Sequence, residues 1–128
     1  MALKNPPPPK VCPVVSRVDI AWICVSTNDG HPLHLDRDFA VNEAGFKDVV
    51  VPGHLLIGWS SEYLRDWGGS PESIKKWAIR FVSPVWPGDQ VTMTGEIVGS
   101  DDKATTVKVT GTAADGRVVS SATATLMQ

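Results

Sequence analysis

The segment Asn28-Asp-Gly-His-Pro-Leu-His-Leu-Asp36 gathers carboxylates and imidazoles around a glycine and a proline. These are the side chains that move protons near neutral pH. Gly30 and Pro32 favour a turn between Asp29 and His34. Apolar stretches flank the turn on both sides, so it could sit where water is partly excluded. Proton transfer at a small site is the first reading. The plain alternative makes Asp29 an Asx-turn or cap, His34 a packing residue, His31 an exposed loop residue and Asp36 a helix cap. Asp29, His31, His34 and Asp36 also carry metal donors, but their spacing fixes no coordination geometry, and no metal is expected.

Something must hold that segment. The chain has 128 residues, 42% hydrophobic and 20% charged, as expected of one soluble globular domain. Its net charge of −2 provides no broad attraction to nucleic acid or anionic lipid. No apolar run is long enough to span a bilayer, and the start lacks a signal-peptide core, so a cytoplasmic location is the default expectation. Cys12 and Cys24 form no CxxC pair and read as free, buried thiols. Nothing calls for a cofactor.

Residues 1–12 read as a Pro-rich arm, a loose extended tail ahead of a domain over residues 13–128. Ser16-Arg-Val-Asp19 has the form of a capping box, though Glu or Gln is more usual at the last place. It predicts a short helix ending near Thr27. Asp36 as cap and Gly45 as stop predict a second short helix. Leu55, Leu56, Trp59, Tyr63, Leu64 and Trp67 recur at helical spacing and predict a long helix over residues 54–67, ended by Gly68-Gly69. Gly58 inside it costs about 1 kcal/mol relative to Ala, which asks for close packing or a gap kept open for a ligand. Strands are predicted over residues 74–82, 90–98, 105–112 and 118–127. Trp77, Ile79 and Phe81 share one side of the first of these, and Val91, Met93 and Ile97 one side of the second. Asp115-Gly116 signals a hairpin. Helices first and antiparallel strands last make an α+β domain.

Three motifs in order resemble the MaoC-like hydratase/dehydratase family, whose members have the hotdog fold. The first stands here as Asp29-Gly-His31-Pro32-Leu-His34-Leu-Asp36. The second is Gly45-Phe46, then Val49-Val-Val51, then Pro52-Gly53-His54-Leu55. The third is Phe81-Val-Ser-Pro-Val-Trp-Pro-Gly-Asp89. Tyr63-Leu-Arg-Asp-Trp-Gly-Gly69 is similar to small hydratase subunits of actinobacterial steroid side-chain degradation. The chain departs from the family pattern at His31, where Asn is usual, and at Gly58, where many members carry a small hydroxyl residue.

The resemblance implies an antiparallel sheet wrapped around the long helix, in a homodimer or in a hetero-oligomer with a related hotdog chain. It implies an acyl-CoA or acyl-carrier-protein thioester as substrate, with Asp29 and His34 as catalytic pair. Such a pair would hydrate a 2-enoyl thioester to the (R)-3-hydroxyacyl thioester, or run the dehydration. N–H groups around Gly53 and His54, where the long helix begins, suit the thioester oxyanion; the plain reading of Gly53 is a turn before a helix. His31 and Gly58 are auxiliary candidates. Two alternatives are a hotdog thioesterase and a non-catalytic partner subunit of a hetero-oligomeric hydratase.

Overall fold

In the computed structural model, which describes residues 5–127, the first helix begins where the sequence signals it. Ser16 stands in extended backbone ahead of α1 (Arg17–Ser26). Its hydroxyl accepts the Asp19 N–H at 3.1 Å, and the Asp19 carboxylate accepts the Ser16 N–H at 2.9 Å. Orphan donors at the helix start are thus satisfied reciprocally, with Asp in place of the usual Glu. Ile20 and Cys24 face the core, while Val18, Trp22 and Val25 face out, Trp22 70% exposed. A helix apolar on both sides is normally covered on both.

The second predicted helix is different in kind. Pro32 opens a one-turn helix, α2 (Pro32–Leu35), and Asp36 breaks it with extended backbone. Asp36 then caps the next turn, accepting the N–H groups of Asp38 and Phe39. Phe39–Glu43 winds as a wide π turn, with the Ala44 N–H reaching the Phe39 carbonyl, before Gly45 stops it at φ +79°. The cap and the stop stand where the sequence puts them, but no single α-helix joins them.

The long helix is α3 (Gly53–Gly68). Gly69 ends it in left-handed backbone, φ +86°, donating its N–H to the Arg65 carbonyl. Leu56, Trp59, Tyr63, Leu64 and Trp67 are buried along one side. They lie on a five-stranded antiparallel sheet of β1 (Lys10–Val11), β2 (Ile74–Phe81), β3 (Val91–Ser100), β4 (Ala104–Ala113) and β5 (Val118–Met127), in the order β1-β3-β4-β5-β2. Val107 and Val109 of β4 and Ala122, Ala124 and Leu126 of β5 are buried, and the intervening Thr and Lys residues face out. A Cβ on Gly95 would stand 2.6 Å from the Trp67 ring, so a glycine there lets α3 approach β3. Val91 and Met93 point inward as expected; Ile97 is half exposed, beside a register shift between Ile97 and Gly99.

The arm does not hang loose over its described length. The Tyr63 hydroxyl donates to the Pro7 carbonyl at 2.6 Å, Lys10 pairs with Glu62, and Lys10–Val11 joins the sheet edge against Thr92 and Met93. Two residues are too few for a period, so sequence pattern could not announce β1. Residues 1–4 of the arm lie outside the described residues. Among the described residues no helix is long and apolar enough to cross a membrane.

Candidate active site

Asp29 is placed by the way α1 ends. Asn28 takes left-handed backbone, φ +53°, which Asn tolerates better than most residues. Its N–H reaches the Val25 carbonyl at 3.3 Å, and the Asp29 N–H reaches the Cys24 carbonyl at 2.9 Å. This pair of bonds is a Schellman motif. It turns the chain sharply and fixes the backbone of Asp29, leaving its carboxylate free of any cap.

His34 is placed by α2. Pro32 has no N–H to satisfy. The Leu33 N–H is accepted by His31 Nδ1 at 3.1 Å and the His34 N–H by the His31 carbonyl at 3.1 Å. Two further bonds join the turn to Val50: the Val50 N–H donates to the Leu33 carbonyl at 3.1 Å, and the His34 ring meets the Val50 carbonyl through Nδ1 at 2.6 Å. A carbonyl only accepts, so Nδ1 carries the proton. Neutral His34 therefore presents a bare lone pair at Nε2.

That lone pair faces Asp29 Oδ2 at 3.6 Å, with the two side chains 14% and 31% exposed. Two acceptors cannot bond each other. One water can bridge them by donating a hydrogen to each, which leaves its oxygen lone pairs free. The arrangement thus offers a candidate base and a second acceptor for one water.

On the other side of Asp29, His54 Nδ1 lies 3.9 Å from the same Oδ2. The structure brings Asp29, His34 and His54 together, although His54 remains half exposed. Gly53 opens α3 beneath the ring of Phe81: a Cβ there would stand 2.5 Å from Phe81 Cζ. His34, Gly53, Leu56, Phe81, Val82 and Val85 line an apolar cavity of about 330 Å³. Phe81 shares the helix side of β2 with Trp77 and Ile79, as the alternation predicts, with its ring over Gly53, but it stays half exposed at this cavity.

The remaining candidates separate. His31 is a cap, and its exposed ring stands edge-on to Phe39 at 5.9 Å. Asp36 is a cap, as its position suggests. Gly58 is exposed on α3, with nothing within 4 Å of where a Cβ would stand, so packing within this chain does not explain it. It borders a separate depression with Ser61, Glu62 and Arg65. Ser60 points at Met93 Sδ and Ser61 bonds back to the Gly58 carbonyl, so neither turns toward Asp29. Among the described residues no three His, Cys, Asp or Glu side chains are arranged to hold a metal ion.

Both cysteines are free and buried. Burial pushes the Cys12 thiol up to about 11, and burial followed by the charge of Asp29 raises Cys24. Neither is a thiolate at neutral pH. The contributors that sequence reasoning misses are Val50 and Phe81. Val50 acts through its backbone carbonyl, which leaves no mark on residue type; Phe81 stands inside a motif but reads as an ordinary core residue.

A family model described as MaoC like domain matches residues 3–117. The beta subunit of the 3-oxo-4,17-pregnadiene-20-carboxyl-CoA hydratase of Mycobacterium tuberculosis is 36% identical over 92 residues, covering 72% of this chain and 70% of that protein. Among solved structures, the ChsH1-ChsH2 complex from Mycobacterium tuberculosis contains a chain that matches with TM-score 0.79 and 30% identity, covering 94% of this chain and 93% of that one. An (R)-hydratase from A. caviae involved in PHA biosynthesis matches with TM-score 0.79 and 23% identity over 97% of this chain and 96% of its own, a likeness of fold. The antiparallel sheet around α3 is the hotdog fold.

Proposed function

Since this chain belongs to the MaoC-like dehydratase family, we propose that it adds water across the 2,3 double bond of an acyl thioester, or removes it in the reverse direction. The observation that carries this reading is the 3.6 Å gap between His34 Nε2 and Asp29 Oδ2, with Val50 holding the His34 proton on the far nitrogen. The bridging water attacks C3 while Nε2 takes its proton. Negative charge moves to the thioester oxygen. The Leu55 N–H is engaged by the Pro52 carbonyl, so the oxyanion falls to the N–H groups of Gly53 and His54. The proton then passes to C2 from the same side. One water O–H bond and the C2–C3 π bond break, C3–O and C2–H form, and no external oxidant or reductant is needed. Addition from one face gives a single enantiomer, which the family resemblance makes the (R)-3-hydroxyacyl thioester.

The apolar cavity beside His34 suits the hydrocarbon part of the substrate. A coenzyme A thioester fits the mycobacterial relative, which is the beta subunit of a 3-oxo-4,17-pregnadiene-20-carboxyl-CoA hydratase. That relative is a beta subunit, and the ChsH1-ChsH2 match is to one chain of a complex. These matches favour a second reading, in which the chain works beside a related hotdog subunit. The outward apolar face of α1 and the edge strand β2 favour a covered surface.

The test is incubation with crotonyl-CoA and longer enoyl-CoA thioesters, following enoyl absorbance and free thiol together, with the mass in solution measured in parallel. Loss of absorbance without thiol supports hydration. Thiol release at a comparable rate replaces it with thioester cleavage. Inactivity of the chain alone, with activity on co-expression with a related hotdog subunit, makes it one part of a joint enzyme. A monomer at micromolar concentration counts against the covered surface.

A further inference from the structure

His31 sits beside the candidate site without reaching its reacting atoms, yet its ring does a specific job. α2 is a single turn, and one turn fixes several dihedral angles for very few internal bonds. Its first free donor, the Leu33 N–H, has His31 Nδ1 as its acceptor at 3.1 Å. The next residue is His34, and the same turn is joined to Val50 on either side of it. The cap is therefore one of the bonds that hold the turn carrying His34.

We propose that His31 is a positioning residue for His34, and that it acts only while its Nδ1 lone pair is free, so that protonation of this one ring releases the turn. A protonated Nδ1 becomes a donor facing another donor, and the cap is lost. Side chains such as Asn, Ser and Asp, whose oxygen stays an acceptor through the neutral range, would cap without this sensitivity.

From its own turn, His34 faces the His31 ring at 6.3 Å between centroids; from the π turn, Phe39 faces it at 5.9 Å. The carboxylates nearest along the chain are Asp36 and Asp29. Asp36 accepts the N–H groups of Asp38 and Phe39, and Asp29 stands between His34 and His54.

The experiment compares wild type, His31→Asn and His31→Ala from about pH 8 to about pH 5.5. Its kinetic arm rests on the hydration reading; its spectroscopic arm does not. Loss of a cap corresponds to roughly a fivefold effect. At pH 8, His31→Ala should lower kcat by about that factor with little change in KM, and His31→Asn should recover most of the loss. The ratio of wild type to His31→Asn should then fall by a similar factor as the pH drops, since protonation of His34 is common to both and cancels. By NMR, the Leu33 amide of the wild type should shift through the imidazole titration, and that of His31→Asn should stay still. A ratio that does not change with pH in an active enzyme overturns the proposal. So does a Leu33 amide that stays still in the wild type or moves equally in both proteins. If no variant hydrates any thioester, the hydration reading fails and the amide titration alone decides this one.

Discussion

Replacing Asp29 by Asn keeps size and shape but changes what faces His34. In the native site two acceptors stand 3.6 Å apart, and in the proposed mechanism one water joins them. An Asn amide can donate directly to Nε2, and a shift of about half an ångström brings the pair to hydrogen-bond distance. That bond occupies the lone pair that should take the proton from water, and it removes the water's place. Asp29→Ala does less local harm: Nε2 stays free, and the water loses one charged acceptor, about 1.5–3 kcal/mol or roughly ten- to a hundredfold. Asp29→Asn loses the acceptor and the base together, so a fall of about a thousandfold is expected, within the usual range for a positioned acid–base group. The assay is kcat/KM for hydration of an enoyl-CoA thioester, with circular dichroism to confirm folding. The conservative substitution should be the worse one. If Asp29→Asn is more active than Asp29→Ala, the two-acceptor geometry is the wrong account of the site.

Other expectations are open to measurement. His34→Ala should cost about a hundredfold or more, and the double variant with Asp29→Ala should be little worse than His34→Ala alone, because in the proposed mechanism both residues act on one water; simple multiplication of the two losses would separate their roles. Gly53→Ala must displace the Phe81 ring, whose Cζ lies 2.5 Å from the added methyl group. Phe81 is half exposed and can swing away, so stability should change by no more than about 1 kcal/mol while KM rises several-fold, and much of that rise should vanish when Phe81→Ala is added. Asp19 titrates below its ordinary 3.8 because the Ser16 backbone N–H and then the Ser16 hydroxyl bond its carboxylate. Its folded value lies below its unfolded one, so its contribution is complete above 3.8 and fades as the pH falls below that. Asp19→Asn should therefore lower the Tm at pH 7, and the difference from wild type should shrink toward about pH 3; a difference independent of pH would dissociate the capping box from the charge.

What the sequence determined by itself is what neighbours along the chain can settle. The start of α1 at Ser16 and Asp19, the end of α3 at Gly69 and the turn at Asp115-Gly116 are satisfied within a few residues, so residue type and spacing suffice. The amphipathic period of α3 and the strand alternation announced an α+β domain for the same reason, and three ordered motifs pointed to its family. The candidate pair was visible as two suitable side chains near a turn. Tertiary structure decided the rest. A carbonyl 16 residues from His34 determines which of its nitrogens is bare. The two-residue strand β1 exists because β3 offers it an edge, and Gly53 is glycine where the Phe81 ring lies on it. A backbone carbonyl is present at every residue, and a ring can rest on any open surface. No residue identity encodes either contact until the chain has folded.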